Sequence, residues 1–130
     1  RFRGGSTPDL VQLPLPPDEH ALSLFEEFAP GAKVIATEQV VTKRLDDIAE
    51  VTQVDFLKID AQGSELAVFK GGAQKLAKAV FIQTEVAFLP YYKGQPTFGE
   101  QDVELRRLGF IPHRFDGMRG WPISPSKAFN

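Results

Sequence analysis

The sequence predicts an α/β fold, because two short apolar runs flank a stretch with helical periodicity in the middle of the chain. The runs, residues 54–59 and residues 80–88, each have the length of a strand. Between them, apolar residues recur at the spacing of one helix face. A strand, a helix and a second strand form a βαβ unit, whose two strands are expected to be parallel with a right-handed crossover.

The first strand and the helix are each predicted from their own pattern. Phe56, Leu57 and Ile59 form an apolar run that is typical of a strand covered on both faces. Gly63 predicts a tight turn after this strand, and the helix is expected to begin near Ser64. Four apolar residues follow at i, i+3, i+7 and i+10, namely Leu66, Phe69, Ala73 and Leu76.

Carboxylates are expected at one edge of the predicted sheet. Asp60 ends the first strand and Glu85 lies towards the end of the second. The carboxyl ends of neighbouring parallel strands share an edge, and ligands bind there. Glu65 lies at the positive N-terminus of the helix that points at the same edge. Asp60, Glu65 and Glu85 are therefore candidate site residues, although Asp60 could instead cap the turn and Glu65 could simply favour the helix start.

A loop with two tyrosines leaves the same edge. Residues 89–99 combine prolines and glycines with Tyr91 and Tyr92 directly after the Glu85 strand. These rings could line a substrate cleft by stacking or hydrogen bonding, or they could cover the core beneath the loop. The sequence leaves both interpretations open.

The flanking segments are predicted from shorter signals. Residues 1–17 are irregular because prolines interrupt them, with a short edge strand at Leu10–Leu13. Asp18 is expected to cap a helix whose apolar face includes Ala21, Leu24, Phe25 and Phe28. Residues 33–45, rich in Val, Ile and Thr, predict one strand or two short ones.

Further elements are predicted on either side of the central unit. Residues 47–50 have capping-box spacing and predict a short helix. Glu100–Leu108 predicts a helix that ends at Gly109. Phe110–Phe115 predicts an edge strand, with Met118–Ile123 as its antiparallel hairpin partner and Trp121 packed on the core.

Composition restricts the class of protein. The 130 residues are expected to form a single domain with its main α/β body at residues 33–123. A net charge of −2, without a long run of either sign, indicates neither a nucleic-acid partner nor a membrane surface. No apolar stretch approaches the length of a membrane span, so a cytoplasmic location is the default expectation. The chain has no cysteine, which excludes disulfides and thiolate metal sites. Asp60, Glu65 and Glu85 could hold a hard cation such as Mg²⁺ through oxygen ligands, although Glu65 could simply favour the helix N-terminus, and no metal ligand is assigned.

The central motif resembles that of a known family. Lys58–Leu66 (KIDAQGSEL) and Lys70–Ala73 (KGGA) are similar to the signature of the FkbM family of S-adenosylmethionine-dependent methyltransferases. The resemblance extends through Leu45–Ile48, Ile82–Val86 and Pro90–Pro96, and it reaches Leu108–Phe110. One departure is Gln62, at a position where the family commonly carries an acidic residue.

The resemblance implies the carboxyl-terminal half of a Rossmann-like class I methyltransferase fold, a mixed sheet that ends in an antiparallel hairpin. No glycine-rich strand, turn and helix precedes Lys33, so the cofactor-binding half is expected to be absent and the isolated chain inactive. The strand at residues 33–45 would then leave an open sheet edge, which a homodimer could cover.

The resemblance also implies a reaction and its residues. A methyl group would pass from S-adenosylmethionine to a hydroxyl of a sugar or other small metabolite. Asp60 would orient or deprotonate this hydroxyl with Glu85 as the second catalytic carboxylate, while Glu65, Tyr91 and Tyr92 would contact the acceptor. The alternative is a non-catalytic methyltransferase-like module that binds a glycan or a partner protein.

Overall fold

The computed structural model of the chain describes residues 15–25, 34–125 and 128–129. The elements in these ranges are short and are joined by long irregular segments. In chain order they are α1 (Glu19–Ser23), a 3₁₀ turn (Leu45–Asp47), β1 (Phe56–Ile59), α2 (Glu65–Gly71), α3 (Ala73–Leu76), β2 (Phe81–Thr84), α4 (Phe98–Arg107), β3 (Pro122–Ile123) and β4 (Ala128–Phe129).

The predicted βαβ unit is confirmed. β1 and β2 pair in parallel with Phe56 opposite Phe81 and Ile59 opposite Thr84, and α2 and α3 form the connection. The pairing continues one step beyond the strands, because the Glu85 amide donates to the Ile59 carbonyl at 3.1 Å. This register places Asp60 and Glu85 side by side at the carboxyl edge of the sheet.

One face of this sheet packs on the core and the other is exposed. Leu57 and Ile59 are half-buried, whereas Phe56 is 54% exposed and Phe81 is 46% exposed. The two exposed rings stack on each other with centroids 5.6 Å apart. The prediction of a strand covered on both faces is therefore wrong for the described part of the chain, because alternate residues of β1 and β2 are exposed.

The helix face predicted between the strands is also confirmed, although the helix is interrupted. Phe69 and Leu76 are fully buried, and Leu66 and Ala73 are half-buried. The interruption lies at Gly72, where a Cβ would stand 2.8 Å from Leu45 Cδ2. A glycine is needed there because the 3₁₀ turn lies directly against the junction of α2 and α3.

The helix predicted at residues 47–50 is wrong. The helical turn covers Leu45–Asp47 and ends where the capping box was expected to open a helix. Asp46 instead caps α3 from a distance, because its carboxylate accepts hydrogen bonds from the Gln74 amide at 3.1 Å and the Lys75 amide at 3.0 Å. Asp47 pairs with Arg44 on the surface at 3.0 Å.

The first and last well-formed helices agree with their sequence signals. Asp18 caps α1, accepting from the His20 and Ala21 amides at 3.0 and 3.1 Å. α4 begins two residues before the predicted start, at a capping box of Thr97 and Glu100, and ends before Gly109, whose φ is +95°. The predicted strand at Leu10–Leu13 and the position of Phe28 lie outside the described residues.

Two predicted strand regions do not form strands. Residues 34–44 are exposed and form no strand, so the sheet edge on which a homodimer was expected is absent from the described residues. A composition rich in Val, Ile and Thr does not make a strand without a neighbouring strand to pair with. Whether the protein forms a homodimer is untested by this result.

The predicted hairpin of residues 110–115 and 118–123 is also wrong. Residues 111–120 are exposed and form no strand, and Pro112 lacks the amide that a ladder would need. Phe115 is held instead by ring contacts with Phe88 and Phe98, at 5.9 and 5.2 Å between centroids. The main sheet is thus parallel rather than mixed, and the β3–β4 antiparallel pair is a separate sheet of two-residue strands.

Within the described ranges, no helix combines the length and the apolar character that a membrane crossing requires.

Asp46 and Asp47 allow a matched test of this packing. We expect Asp46→Ala to lower the free energy of unfolding by about 1 kcal/mol, because it leaves two amides at the start of α3 without their acceptor. Asp47→Ala removes only an exposed ion pair and is expected to change stability by less than about 0.5 kcal/mol. Urea unfolding of both variants measures the difference, and equal effects would contradict the capping role of Asp46.

Candidate carboxylate site at the strand ends

The site is built on the turn that follows β1. Gln62 and Gly63 both take left-handed conformations, with φ of +49° and +93°. The Glu65 side chain stabilises this turn, since its Oε1 accepts hydrogen bonds from the Ala61 amide at 2.8 Å and the Gly63 amide at 3.3 Å. Glu65 is 1% exposed, so its carboxylate faces the turn rather than open solvent.

The turn is closed on its other side by the tyrosine loop. A Cβ on Gly63 would stand 3.0 Å from Gln95 Cγ and 3.2 Å from Leu15 Cδ1. The turn after β1 is therefore in close contact with the loop that contains Gln95. Gln95 Oε1 accepts from the Tyr91 amide at 2.6 Å and the Tyr92 amide at 3.2 Å. The side chain of Gln95 thus fixes the loop after β2 against the turn after β1.

Three carboxylates meet at this edge of the sheet. One oxygen from each of Asp60, Glu65 and Glu85 lies within 4.8 Å of the others. Partial burial, a hydrogen bond with Asp60 and the negative charges of Asp60 and Glu65 together raise the pKa of Glu85 to about 7. Glu85 is therefore protonated below about pH 7 and releases its proton as the pH rises through that value.

Tyr92 borders this cluster through an amide bridge. Its hydroxyl donates to Gln62 Oε1 at 2.6 Å, and Gln62 Nε2 donates to Asp60 Oδ1 at 2.7 Å. Burial raises the pKa of the Tyr92 hydroxyl, and the charges of Glu85, Asp60 and Glu65 raise it further. At neutral pH the hydroxyl is a hydrogen-bond donor beside the carboxylates.

Tyr91 lies elsewhere. Its ring meets Phe25 edge to face, with centroids 5.2 Å apart, and its carbonyl accepts from the Asp18 amide at 2.9 Å. The structure thus brings together Asp60, Glu65, Glu85 and Tyr92 and places Tyr91 over the core. Its predicted contact with an acceptor finds no support in this position.

Gln62 is the site residue that the sequence interpretation missed as a participant. The sequence identifies Gln62 only as a glutamine at a position where the family commonly has an acidic residue. In the structure its side chain joins Asp60 to Tyr92. An amide two positions after a strand-ending carboxylate is the signal that could have indicated it, because that spacing permits a local hydrogen bond.

The contacts of the described residues bear on which groups this site could hold. The glycine turn at the end of β1 is filled by Gln95 and Leu15, so it offers no open cradle for a nucleoside. Glu65 uses an oxygen on two amides, and Asp60 Oδ1 accepts from Gln62, so two of the three carboxylates are already engaged. On these contacts we assign no metal ligand.

Comparison with known proteins adds the family. The sequence profile of the methyltransferase FkbM domain matches residues 9–112. The chain belongs to the FkbM methyltransferase family. The match covers β1, the turn, β2 and α4, and so includes the whole carboxylate site of this FkbM domain.

One curated relative is similar over part of its length. The chain is 41% identical over 59 residues to the 2-O-methyltransferase NoeI of Sinorhizobium fredii. This alignment covers 43% of the FkbM chain and 24% of the relative, so the chain matches about a quarter of that protein. No solved structure matches the chain.

The coupling of Asp60 and Glu85 can be tested in the FkbM chain itself. We expect Asp60→Asn to lower the pKa of Glu85 from about 7, because it removes both a negative charge and a carboxylate partner of the protonated form. Carbon-13 NMR of the labelled carboxyl groups across a pH titration measures this value. Asp55→Asn, at the other end of β1, is the control and is expected to leave the Glu85 titration unchanged. A Glu85 midpoint that is equal in the wild type and in Asp60→Asn would refute the coupling.

Proposed function

We propose that this FkbM domain takes part in transferring a methyl group from S-adenosylmethionine to a hydroxyl of a sugar or another small metabolite. Family membership implies methyl transfer and the use of S-adenosylmethionine, and the similar protein from Sinorhizobium fredii is named as a 2-O-methyltransferase. The observation that carries the proposal is the Asp60–Glu85 pair, because it provides a proton acceptor at the edge of a parallel sheet where ligands bind.

Methyl transfer to a hydroxyl requires that its proton be accepted. A general base is most effective when its pKa lies near the working pH, and Glu85 at about 7 meets this condition. The hydroxyl of the acceptor would donate a hydrogen bond to the Glu85 carboxylate. As its oxygen forms the new bond to carbon, its proton would pass to Glu85.

The other members of the cluster would have supporting roles. Asp60 lies beside Glu85 and stabilises the protonated form that results from the transfer. The Tyr92 hydroxyl lies next to the carboxylates and would form a wall of the acceptor pocket. Glu65 is bound to the turn amides, so we propose that it positions Asp60 and adds negative charge rather than contacting the acceptor.

The methyl donor is not placed by the described residues. Their tight glycine turn at the end of β1 is occupied by Gln95 and Leu15, and residues 34–44 form no strand from which a second glycine turn could start. S-adenosylmethionine would supply the methyl group when bound. The proposal for this part of the chain concerns the acceptor hydroxyl and its proton.

Substitution of the two carboxylates tests the proposal in the full-length protein. We expect Asp60→Asn and Glu85→Gln to lower kcat/KM by about 10²-fold or more, the range that a general base contributes. In the wild type, kcat/KM is expected to rise with pH and to level off above about 7, because Glu85 must be ionised to accept the proton. Transfer of labelled methyl groups to a panel of sugars measures both effects.

The outcomes separate the two classes of function considered from the sequence. Asp55→Asn serves as the control and is expected to retain wild-type transfer. Unchanged turnover in both carboxylate variants would remove Asp60 and Glu85 from the chemistry. A protein that binds sugars at this edge but transfers no methyl group would instead be a non-catalytic binding module.

A further inference from the structure

We propose that Gln62 is a positioning residue for the Asp60–Glu85 pair, joining the Tyr92 hydroxyl to Asp60 so that the Asp60 carboxylate is held beside Glu85. This inference deepens the proposed function, on which its catalytic meaning rests. Gln62 touches Asp60 and Tyr92 but not Glu85 in the hydrogen bonds of the described residues, so any effect on Glu85 passes through its neighbour.

The two ends of the Gln62 amide are chemically different, and each meets a group that suits it. Its Nε2 can only donate, and it lies 2.7 Å from Asp60 Oδ1. Its Oε1 can only accept, and it lies 2.6 Å from the Tyr92 hydroxyl. The two hydrogen bonds of the amide therefore connect the loop after β2 to the Asp60 carboxylate beside Glu85.

The position of the Asp60 carboxylate bears on the proton of Glu85. Burial, a hydrogen bond with Asp60 and the charges of Asp60 and Glu65 raise the pKa of Glu85 to about 7, so two of these effects depend on the carboxylate that Gln62 holds in place. Glu85 is then the group that releases a proton near neutral pH and takes one up during transfer.

Both anchors of the bridge are fixed independently of Gln62. At the Asp60 end, Glu65 accepts hydrogen bonds from the amides of Ala61 and Gly63, the residues immediately before and after Gln62. On the other side, Tyr92 forms an isolated antiparallel bridge with Pro17, and the Lys93 amide donates to the Pro16 carbonyl at 2.8 Å. The amide therefore spans two supported segments, and its removal is expected to leave both in place.

Other titratable groups also affect the ionisation of Glu85, and a test of Gln62 has to leave these groups unchanged. Those that act on its ionisation are Asp60 after β1 and Glu65 at the start of α2, and Tyr92 in the loop after β2 is in turn influenced by Glu85. Gln62→Leu leaves each of these titratable side chains in the chain and removes only the donor to Asp60 and the acceptor of the Tyr92 hydroxyl. Gln62 is exposed, so the substitution creates no buried cavity.

The chain contains a matched control for this substitution. Gln53 Nε2 donates to Asp55 Oδ1 with the same separation of two residues, at the opposite end of β1. Gln53→Leu therefore removes an equivalent exposed glutamine–aspartate hydrogen bond without touching the carboxylate cluster. The ends of the strand are far enough apart, at about 16 Å for five residues, for the two sites to be independent.

The test follows the carboxyl carbons of Asp60 and Glu85 by carbon-13 NMR during a pH titration of the wild type, Gln62→Leu and Gln53→Leu. In the wild type and in Gln53→Leu, the step near neutral pH is expected on the Glu85 carbon. In Gln62→Leu, the Asp60 carboxylate is no longer held beside Glu85, so the Glu85 step is expected to move to lower pH, by up to about one pH unit.

A second variant checks the sign of the effect. Gln62→Glu replaces the amide donor with a negative charge, so it is expected to move the Glu85 step to higher pH. Identical Asp60 and Glu85 titrations in the wild type, Gln62→Leu and Gln62→Glu would overturn the proposal, and so would a wild-type step that appears on Asp60. Because NMR detects the proton directly, failure here is distinct from failure of methyl transfer, which the Asp60→Asn and Glu85→Gln rate measurements decide.

Discussion

The parallel pairing of β1 and β2 is the constraint on which the candidate site depends. Its register sets Ile59 opposite Thr84, and the Glu85 amide extends it by one hydrogen bond to the Ile59 carbonyl. Asp60 and Glu85 therefore leave adjacent strands at the same level. Burial raises the pKa of Glu85, and the Asp60 carboxyl that the strand pairing places beside it raises this pKa further.

Glu65 shows that one buried carboxylate can serve structure and electrostatics together. Its two hydrogen bonds to backbone amides stabilise a turn in which Gln62 and Gly63 adopt left-handed conformations, and these bonds compensate for burying its charge. The same charge lies within reach of Glu85 and contributes to its raised pKa. The residue that shapes the turn therefore also adjusts the proton affinity of the pair beside it.

The sequence was informative where a structure depends on local pattern. The apolar run of β1, the glycine of the turn, the helix face with Phe69 and Leu76, and the cap at Asp18 are all encoded within a few residues, and each was predicted. Residues 34–44 and 110–115 have equally strand-like compositions, but a strand forms only with a partner. No strand lies beside residues 34–44 in the described chain, and Pro112 lacks an amide that a ladder in the second segment would need, which is why these two predictions failed.

The same distinction explains what was found and what was missed at the site. Asp60 and Glu85 could be predicted together because strand ends in a βαβ unit meet at one edge. The role of Asp46 depends on amides 28 and 29 residues away, and the bridge of Gln62 depends on Tyr92, 30 residues away. In isolation, each is a polar residue in a turn that solvent alone could satisfy. The hydrogen bond of Gln53 to Asp55 has the same spacing as that of Gln62 to Asp60, but it leads to no third group in the contacts of the described chain. Gln62 differs from Gln53 only because the loop after β2 packs onto the turn after β1.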